Sequence, residues 1–377
     1  MIRKISLILL IAIIFSCSKK DLNYSVEVVN GVKTYKNENR ESMPDLVIQP
    51  KELYTIKDFD ETITDSTRII KEFGIFDTDS KGNIYILDGG TCSVKKFDPN
   101  GKFVKSFGKR GHGPGESSYA WNMTITNDTI IFDDYLSKEM LRFDLEGNFI
   151  NKFSLTASGP TERFKGLNDG KIIGYQAYQE DEGDDAYVSY NFSLFDDRLV
   201  VLKELANKRV KFEQEKYNFF DLFLSAYTHS DKEIFFAEKS DSYYKINVFN
   251  FNGEHIYSIT KNYIKIPFEK NEMDVFDKRY KDTWYFSNNK SKFKSAIINM
   301  EFDKYNRLWV FSSIERSEVN RNDLVVDIFK DGVYLKSIKL DICSGYDFVN
   351  YDHQIKLRGD KLFYVNTVDM FMKVYDY

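Results

Sequence analysis

Asp79-Ser80-Lys81-Gly82-Asn83-Ile84-Tyr85-Ile86-Leu87-Asp88, followed by Val94-Lys95-Lys96-Phe97-Asp98-Pro99-Asn100-Gly101, is the stretch that decides the fold. A polar turn of Asp, Gly and Asn opens into a short aliphatic strand, and a second strand ends in Phe-Asp before another turn. The same succession returns along the chain. Its first strands start at Ile84, Ile130, Ile172, Ile234, Leu308 and Leu362, and its second strands end at Asp98, Asp144, Asp196, Asn250, Lys330 and Asp376. Two copies are longer because polar stretches, Gln179–Asp185 and Glu315–Asp323, extend their hairpin tips. Five copies add a turn and a further strand, as in Asn100-Gly101 before Lys102–Phe107 and Asp331-Gly332 before Val333–Leu340. With an apolar strand ahead of each turn, every unit is a four-stranded meander of about 40–50 residues, which is a propeller blade.

The sixth copy runs only to Val374-Tyr375-Asp376-Tyr377, where the others turn into a fourth strand. A blade without its outer strand presents an open edge. The chain ahead of the first copy holds two strands without partners, Leu46–Ile48 and Leu53–Ile56, and one of them is expected to complete blade six. The expectation is an all-β fold, one six-bladed β-propeller of four-stranded antiparallel blades over residues 44–377, closed by an N-terminal strand. An open β-solenoid is the alternative, and the missing last strand argues against it.

Composition agrees. Of 377 residues, 42% are hydrophobic and 29% charged, a globular balance. With 32 Phe and 25 Tyr against little alanine, a mostly helical fold is disfavoured. A net charge of −5 offers no basic face to phosphates, so nucleic acid is not an expected partner. Three cysteines cannot make a disulfide scaffold.

Residues 1–17 read as an export signal. Arg3 and Lys4 give a positive start, and the apolar run Ile5–Phe15 falls short of the ~20 residues a spanning helix needs. Ser16-Cys17 then precedes the polar Ser18-Lys19-Lys20-Asp21. A cysteine closing the apolar core resembles a bacterial lipoprotein signal, which implies that Cys17 is acylated and holds the protein to membrane lipid. Phe15 departs from that pattern, being bulkier than the usual residue there; an ordinary secretory signal or an uncleaved anchor is the alternative. Ser18 fits delivery to the outer membrane, on its periplasmic or its surface side. Residues 18–43 read as a polar tether with a short hairpin, Val26–Val29 before Asn30-Gly31.

The run Gly82–Asp88, Phe97–Phe103 and Phe107-Gly108-Lys109-Arg110-Gly111-His112-Gly113-Pro114-Gly115-Glu116 resembles an NHL-type repeat. With the lipoprotein signal and Asp303–Val310, the chain is similar to the six-bladed β-propeller lipoproteins of Bacteroides-like bacteria. The resemblance covers nearly the whole mature chain, most strongly in blade one and least in blade three. It implies fold and envelope location, and it carries no catalytic residues across.

Catalytic side chains are sparse. His112, His229, His255 and His353 are dispersed, with no zinc spacing, nucleophile elbow or phosphate loop, so no metal and no cofactor is expected. Asp77, Asp88, Asp133 and Asp303 lie near strand ends. They could serve a calcium-dependent lactonase- or hydrolase-like propeller enzyme, but capping turns is the weightier role. Asp181, Glu182, Asp184 and Asp185 lack calcium-loop spacing and read as a solvated hairpin tip. Cys92 and Cys343 fall on one face of neighbouring blades, which leaves a bridge open.

In such a ring the blade-to-blade connections and the second-to-third strand turns emerge on one face. Three connections there are long: Arg110–Glu116, Asn207–Leu224 and Lys261–Ser295, the last with Met273, Phe276, Tyr280 and Trp284 at helical spacing. Arg110, His112, Glu116 and Trp284 are therefore the candidate ligand-binding residues, suited to a glycan or peptide with flat faces and polar edges. The expected class is a membrane-anchored envelope module that binds a small molecule, glycan, peptide or envelope protein. The enzyme above and a scaffold subunit of an outer-membrane complex are the alternatives.

Overall fold

The computed structural model describes residues 22–58, 65–155, 161–183, 185–211, 225–274, 292–315, 323–343 and 353–377. Blade one consists of Phe73–Thr78, Ile84–Asp88, Ser93–Phe97 and Phe103–Phe107, hydrogen-bonded in that order, and these strands are lettered A to D outwards from the ring axis. Five further sheets contain the same meander, so the fold is a six-bladed β-propeller. The inner A strands of blades two to six are Met123–Thr126, Thr161–Gly166, Tyr227–His229, Ile297–Phe302 and His353–Arg358. Blade six takes its D strand from the N-terminal region: Lys51–Lys57 pairs antiparallel with Phe371–Asp376. Of the two unpartnered segments, the second closes the ring. The first forms no strand, and its Ile48 packs instead into the core between blades five and six.

The apolar core shows why the ring closes. Each of six clusters of buried side chains lies between two consecutive blades, from Phe132 and Leu141 against Tyr85 and Val94 round to Phe363 and Met372 against Phe76 and Phe97. Every residue of Ile84–Asp88 is buried, because a B strand is covered on both faces by neighbouring blades. The turns follow one chemistry. Asp79 Oδ1 accepts from the amides of Lys81 and Asn83, and Asp303 Oδ1 accepts from those of Tyr305 and Arg307. Asp98 and Asp196 do the same between strands C and D.

Residues 24–37, expected as part of a tether, are built into the sheets. Tyr24–Val29 and Val32–Asn37 form a hairpin about Asn30-Gly31, both at positive φ, and its second strand runs parallel to His255–Lys261. Blade four thereby becomes six-stranded. The chain then crosses blade five, where the Ser42 and Met43 amides donate to Leu335 O, before it reaches blade six. Gly332 shows how tightly the strap is seated. Its φ is +82°, and a Cβ there would stand 2.6 Å from the Tyr35 ring.

Blade three has the longest strands among the described residues. Ile172–Glu182 and Asp185–Phe195 pair end to end, so the polar insertion lengthens the strands themselves. Asn207–Lys211, expected in a connection, continues the D strand Val201–Lys211. At the tip Arg209 bridges Glu180 and Glu182 and stacks over Tyr187. Cys92 and Cys343 are not bridged to each other: each is buried, the first in the core between blades one and two, the second between five and six.

Candidate functional site

Each A strand turns alternate side chains toward the axis. Near the end that leads into the A–B turns, these side chains form one continuous polar chain. Thr124 of blade two donates to Asp77 Oδ2 of blade one at 3.3 Å, beside the Ile125 amide at 3.0 Å. Asp77 Oδ1 receives Arg358 Nε of blade six at 3.1 Å, and Arg358 Nη1 reaches Glu301 Oε2 of blade five at 3.1 Å. Glu301 Oε1 meets Lys165 Nζ of blade three at 3.3 Å, and Lys165 donates to Tyr227 O of blade four at 3.0 Å. All six blades take part.

The charges are tuned by one another. Burial pushes the Asp77 carboxyl up, but Arg358 and Lys356 outweigh it and hold the group below its usual range. Glu301 is likewise held down by Lys165 and Arg358 against its burial. Burial lowers Lys165 despite Glu301, and it takes His229 down to about 4, with Arg358 and Lys165 adding repulsion. Burial also takes Lys356 to about 7, although Asp77 favours its charge. Among the expected carboxylates, Asp77 thus serves the network. Asp88, Asp133 and Asp303 hold backbone amides at turns and connections. Lys165, Glu301, Lys356 and Arg358 escaped the sequence reading, in which His229 is only one of four dispersed histidines.

Of the sequence-nominated residues, Arg110, His112 and Glu116 lie at the other end, on the connection face. Lys109–Arg110 pairs in parallel with Glu116–Ser117 across a small loop. The exposed Arg110 donates to Ser118 O at 3.0 Å and to Gly89 O and Gly90 O at 3.3 Å. Glu116 accepts from the Gly113 amide at 3.0 Å and pairs with Lys109, and these two contacts hold its carboxyl below its usual range. His112 is exposed at the loop tip. Trp284, Phe276, Tyr280 and Cys17 lie outside the described residues. Met273 sits in a helical turn at 270–274, where the buried pair Glu272–Lys294 pins the connection at 2.7 Å.

Beside Arg110 stands a group that sequence reasoning passed over. Tyr119 and Trp121 stack at 6.1 Å with an interplanar angle of 10°, and Tyr135 meets Tyr119 edge-on at 6.2 Å. Trp121 is 52% exposed, Tyr119 36% and Tyr135 37%. Their backbone is fixed: Tyr135 N donates to Tyr119 O at 2.8 Å and Trp121 N to Asp133 Oδ1 at 2.6 Å. The signal was the alternation Tyr119-Ala120-Trp121, which places two rings on one side of an extended segment while Ala120 is buried.

No protein-family model matches the chain, and no curated protein matches it in sequence. Solved structures do. A Bacteroides fragilis protein named as exported matches 91% of this chain and 98% of its own at 13% identity, with a TM-score of 0.53. The likeness is one of fold. A DUF4221 family member from Bacteroides vulgatus covers 87% of this chain and 97% of its own at 13% identity and a TM-score of 0.49. Virginiamycin B lyase from Staphylococcus aureus covers 86% and 98% at 10% identity, with a TM-score of 0.45. Among the described residues, no group of three or more His, Cys, Asp or Glu side chains is arranged to hold a metal ion.

Proposed function

We propose that the protein is an exported, lipid-anchored propeller of the cell envelope that binds its ligand on the connection face of blades one and two. The observation that carries this reading is the exposed, stacked Tyr119–Trp121 pair, held on a braced backbone beside Arg110. Three exposed rings cost apolar surface in water, and they do so on a loop whose fixed backbone spares a ligand the cost of ordering it. Flat rings beside a guanidinium and the loop of His112 and Glu116 suit a glycan or a peptide. Anchoring is supported by Arg3, Lys4, the apolar run Ile5–Phe15 and Cys17.

The double substitution Tyr119→Ala/Trp121→Ala is expected to weaken the ligand found in a glycan and peptide screen by at least ~30-fold, about 2 kcal/mol for two stacking rings. Melting should shift little, since both rings are exposed. An affinity that survives this change but falls with Tyr305→Ala, on the opposite face, would move the site elsewhere. For the anchor, Cys17→Ala is expected to shift the protein from the membrane to the soluble fraction of fractionated cells. Retention on membranes as firm as the parent's would rule out acylation as the attachment.

A further inference from the structure

Lys356 is a channel cation that makes no ion pair among the described residues. It lies on the A strand of blade six, two residues before Arg358, and so turns to the same side of the strand. Its ammonium donates to Phe76 O at 2.6 Å and lies 4.7 Å from the Phe76 ring centroid. Among the described residues no carboxylate stands within ion-pair distance of it, whereas Lys165 has Glu301 and Arg358 has both Glu301 and Asp77. Three cations thus face two carboxylates. An ammonium has three N–H donors, and one carbonyl uses only one of them. Lys356 pairs with Phe363 as Asp77 pairs with Tyr85, Glu301 with Trp309 and Lys165 with Ile173, so it stands level with them in the ring, while Arg358 lies nearer the A–B turn.

We infer that Lys356 receives a carboxylate in the central channel, on the connection-face side of the layer it shares with Asp77, Glu301 and Lys165. The charge count selects a monoanion. One negative charge balances the single excess cation, while a dianion would bring a second charge toward Asp77 and Glu301. The carboxylate can belong to a free small acid or to a uronic acid whose sugar ring lies toward the platform. Only the uronate case rests on the function proposed above.

The charged groups facing Lys356 are Asp77 of blade one, Glu301 of blade five, Lys165 across the channel and Arg358 on its own strand, and His229 adjoins Arg358, Lys165 and Asp77. Asp77 and Glu301 are held ionised and His229 is neutral above about 4, so their charges are constant between pH 6 and 8.5. Lys165, also lowered by burial, keeps its Glu301 partner. The bound anion favours the ammonium, so binding takes up a proton and weakens as pH rises through about 7.

The test is a thermal melt of the whole protein with sodium acetate, galacturonate, galactose or sodium chloride at matched ionic strength. Acetate and galacturonate should raise Tm at pH 6.0, and galactose and chloride should not. Affinity should be about 30-fold weaker at pH 8.5, the ratio of protonated lysine at the two pH values. Lys356→Gln should abolish the carboxylate effect, and Lys356→Arg should retain it at both pH values because guanidinium does not deprotonate. Acetate acting no differently from chloride, or acting equally on Lys356→Gln, overturns the inference. If Lys356→Gln does not fold, loss of pH dependence in Lys356→Arg decides the matter, and a pH dependence that persists there also overturns it. Tyr119→Ala/Trp121→Ala should weaken galacturonate but not acetate, which separates failure of the platform from failure of the channel site.

Discussion

Replacing Arg358 with methionine is expected to destabilise the protein by about 3–5 kcal/mol, a Tm lower by roughly 4–7 °C. Methionine fills a similar volume, so the loss comes from charge rather than from a cavity. Asp77 and Glu301 both lean on this one guanidinium, and Glu301 is 1% exposed. The pH dependence separates this cause from simple misfit. In the parent both carboxyls sit below their ordinary range, so their stabilisation is fully present above pH ~4–5 and is lost as pH falls through the depressed folded values. Without Arg358 burial dominates and both carboxyls rise, so protonation now relieves the folded state. The gap between parent and variant should therefore narrow as pH drops from 7 to 4. Asp77→Asn added to Arg358→Met should recover part of the loss, the signature of coupled sites. A penalty below about 1 kcal/mol that ignores pH would mean the network is solvated and contributes little.

The blades were legible because their turn chemistry is local. Asp79, Asp98, Asp196 and Asp303 each take two amides within four residues, and such a turn writes its pattern into contiguous sequence. Ring closure was legible for a different reason: a missing strand at one end and a spare at the other must answer each other. The network was not legible in the same way. Asp77 and Glu301 each stand two residues before a turn aspartate, and Lys165 two before Leu167 at the same turn position, so alignment across blades marks the layer. That the marked residues neutralise one another follows only after six strands from distant parts of the chain meet at one axis. The hairpin at Asn30-Gly31 shows the same limit. Its turn was readable, but its docking is parallel to a strand more than 200 residues later, and the side chains that tie the two regions, Asn37 to Gly332 O and Thr260 O and Tyr35 against Tyr257, share no local spacing. Arg110 was identified as a connection residue, yet its three carbonyl partners come from two separate loops and no spacing announces them.

Deleting residues 1–57 is expected to leave no soluble monomer, whereas deleting residues 1–38 should leave a folded propeller that melts a few degrees lower. The short deletion removes the hairpin beside blade four and uncovers Gly332, but every blade keeps four strands. The long deletion also removes Lys51–Lys57. Ile56, 3% exposed, then leaves the cluster it shares with Phe363, Met372, Val374 and Ile70. A vacancy of that kind costs about 2–5 kcal/mol for the side chain alone. Tyr54 goes with it. Its ring covers Gly101 and its hydroxyl donates to Pro99 O at 2.8 Å, so the deletion leaves Lys361, which donates to the same carbonyl, to hold that link between blade six and blade one without it. Most damaging, Phe371–Asp376 becomes a bare edge with apolar side chains, the arrangement that templates aggregation. Rejoining residues 50–57 after Tyr377 through a short turn tests whether closure itself is the cause, since an antiparallel partner for Phe371–Asp376 is what a hairpin there supplies. That rearranged chain should be monomeric in sedimentation and should melt near the 1–38 deletion. A soluble, cooperatively melting 58–377 chain would show instead that the six interblade cores hold the ring without its clasp.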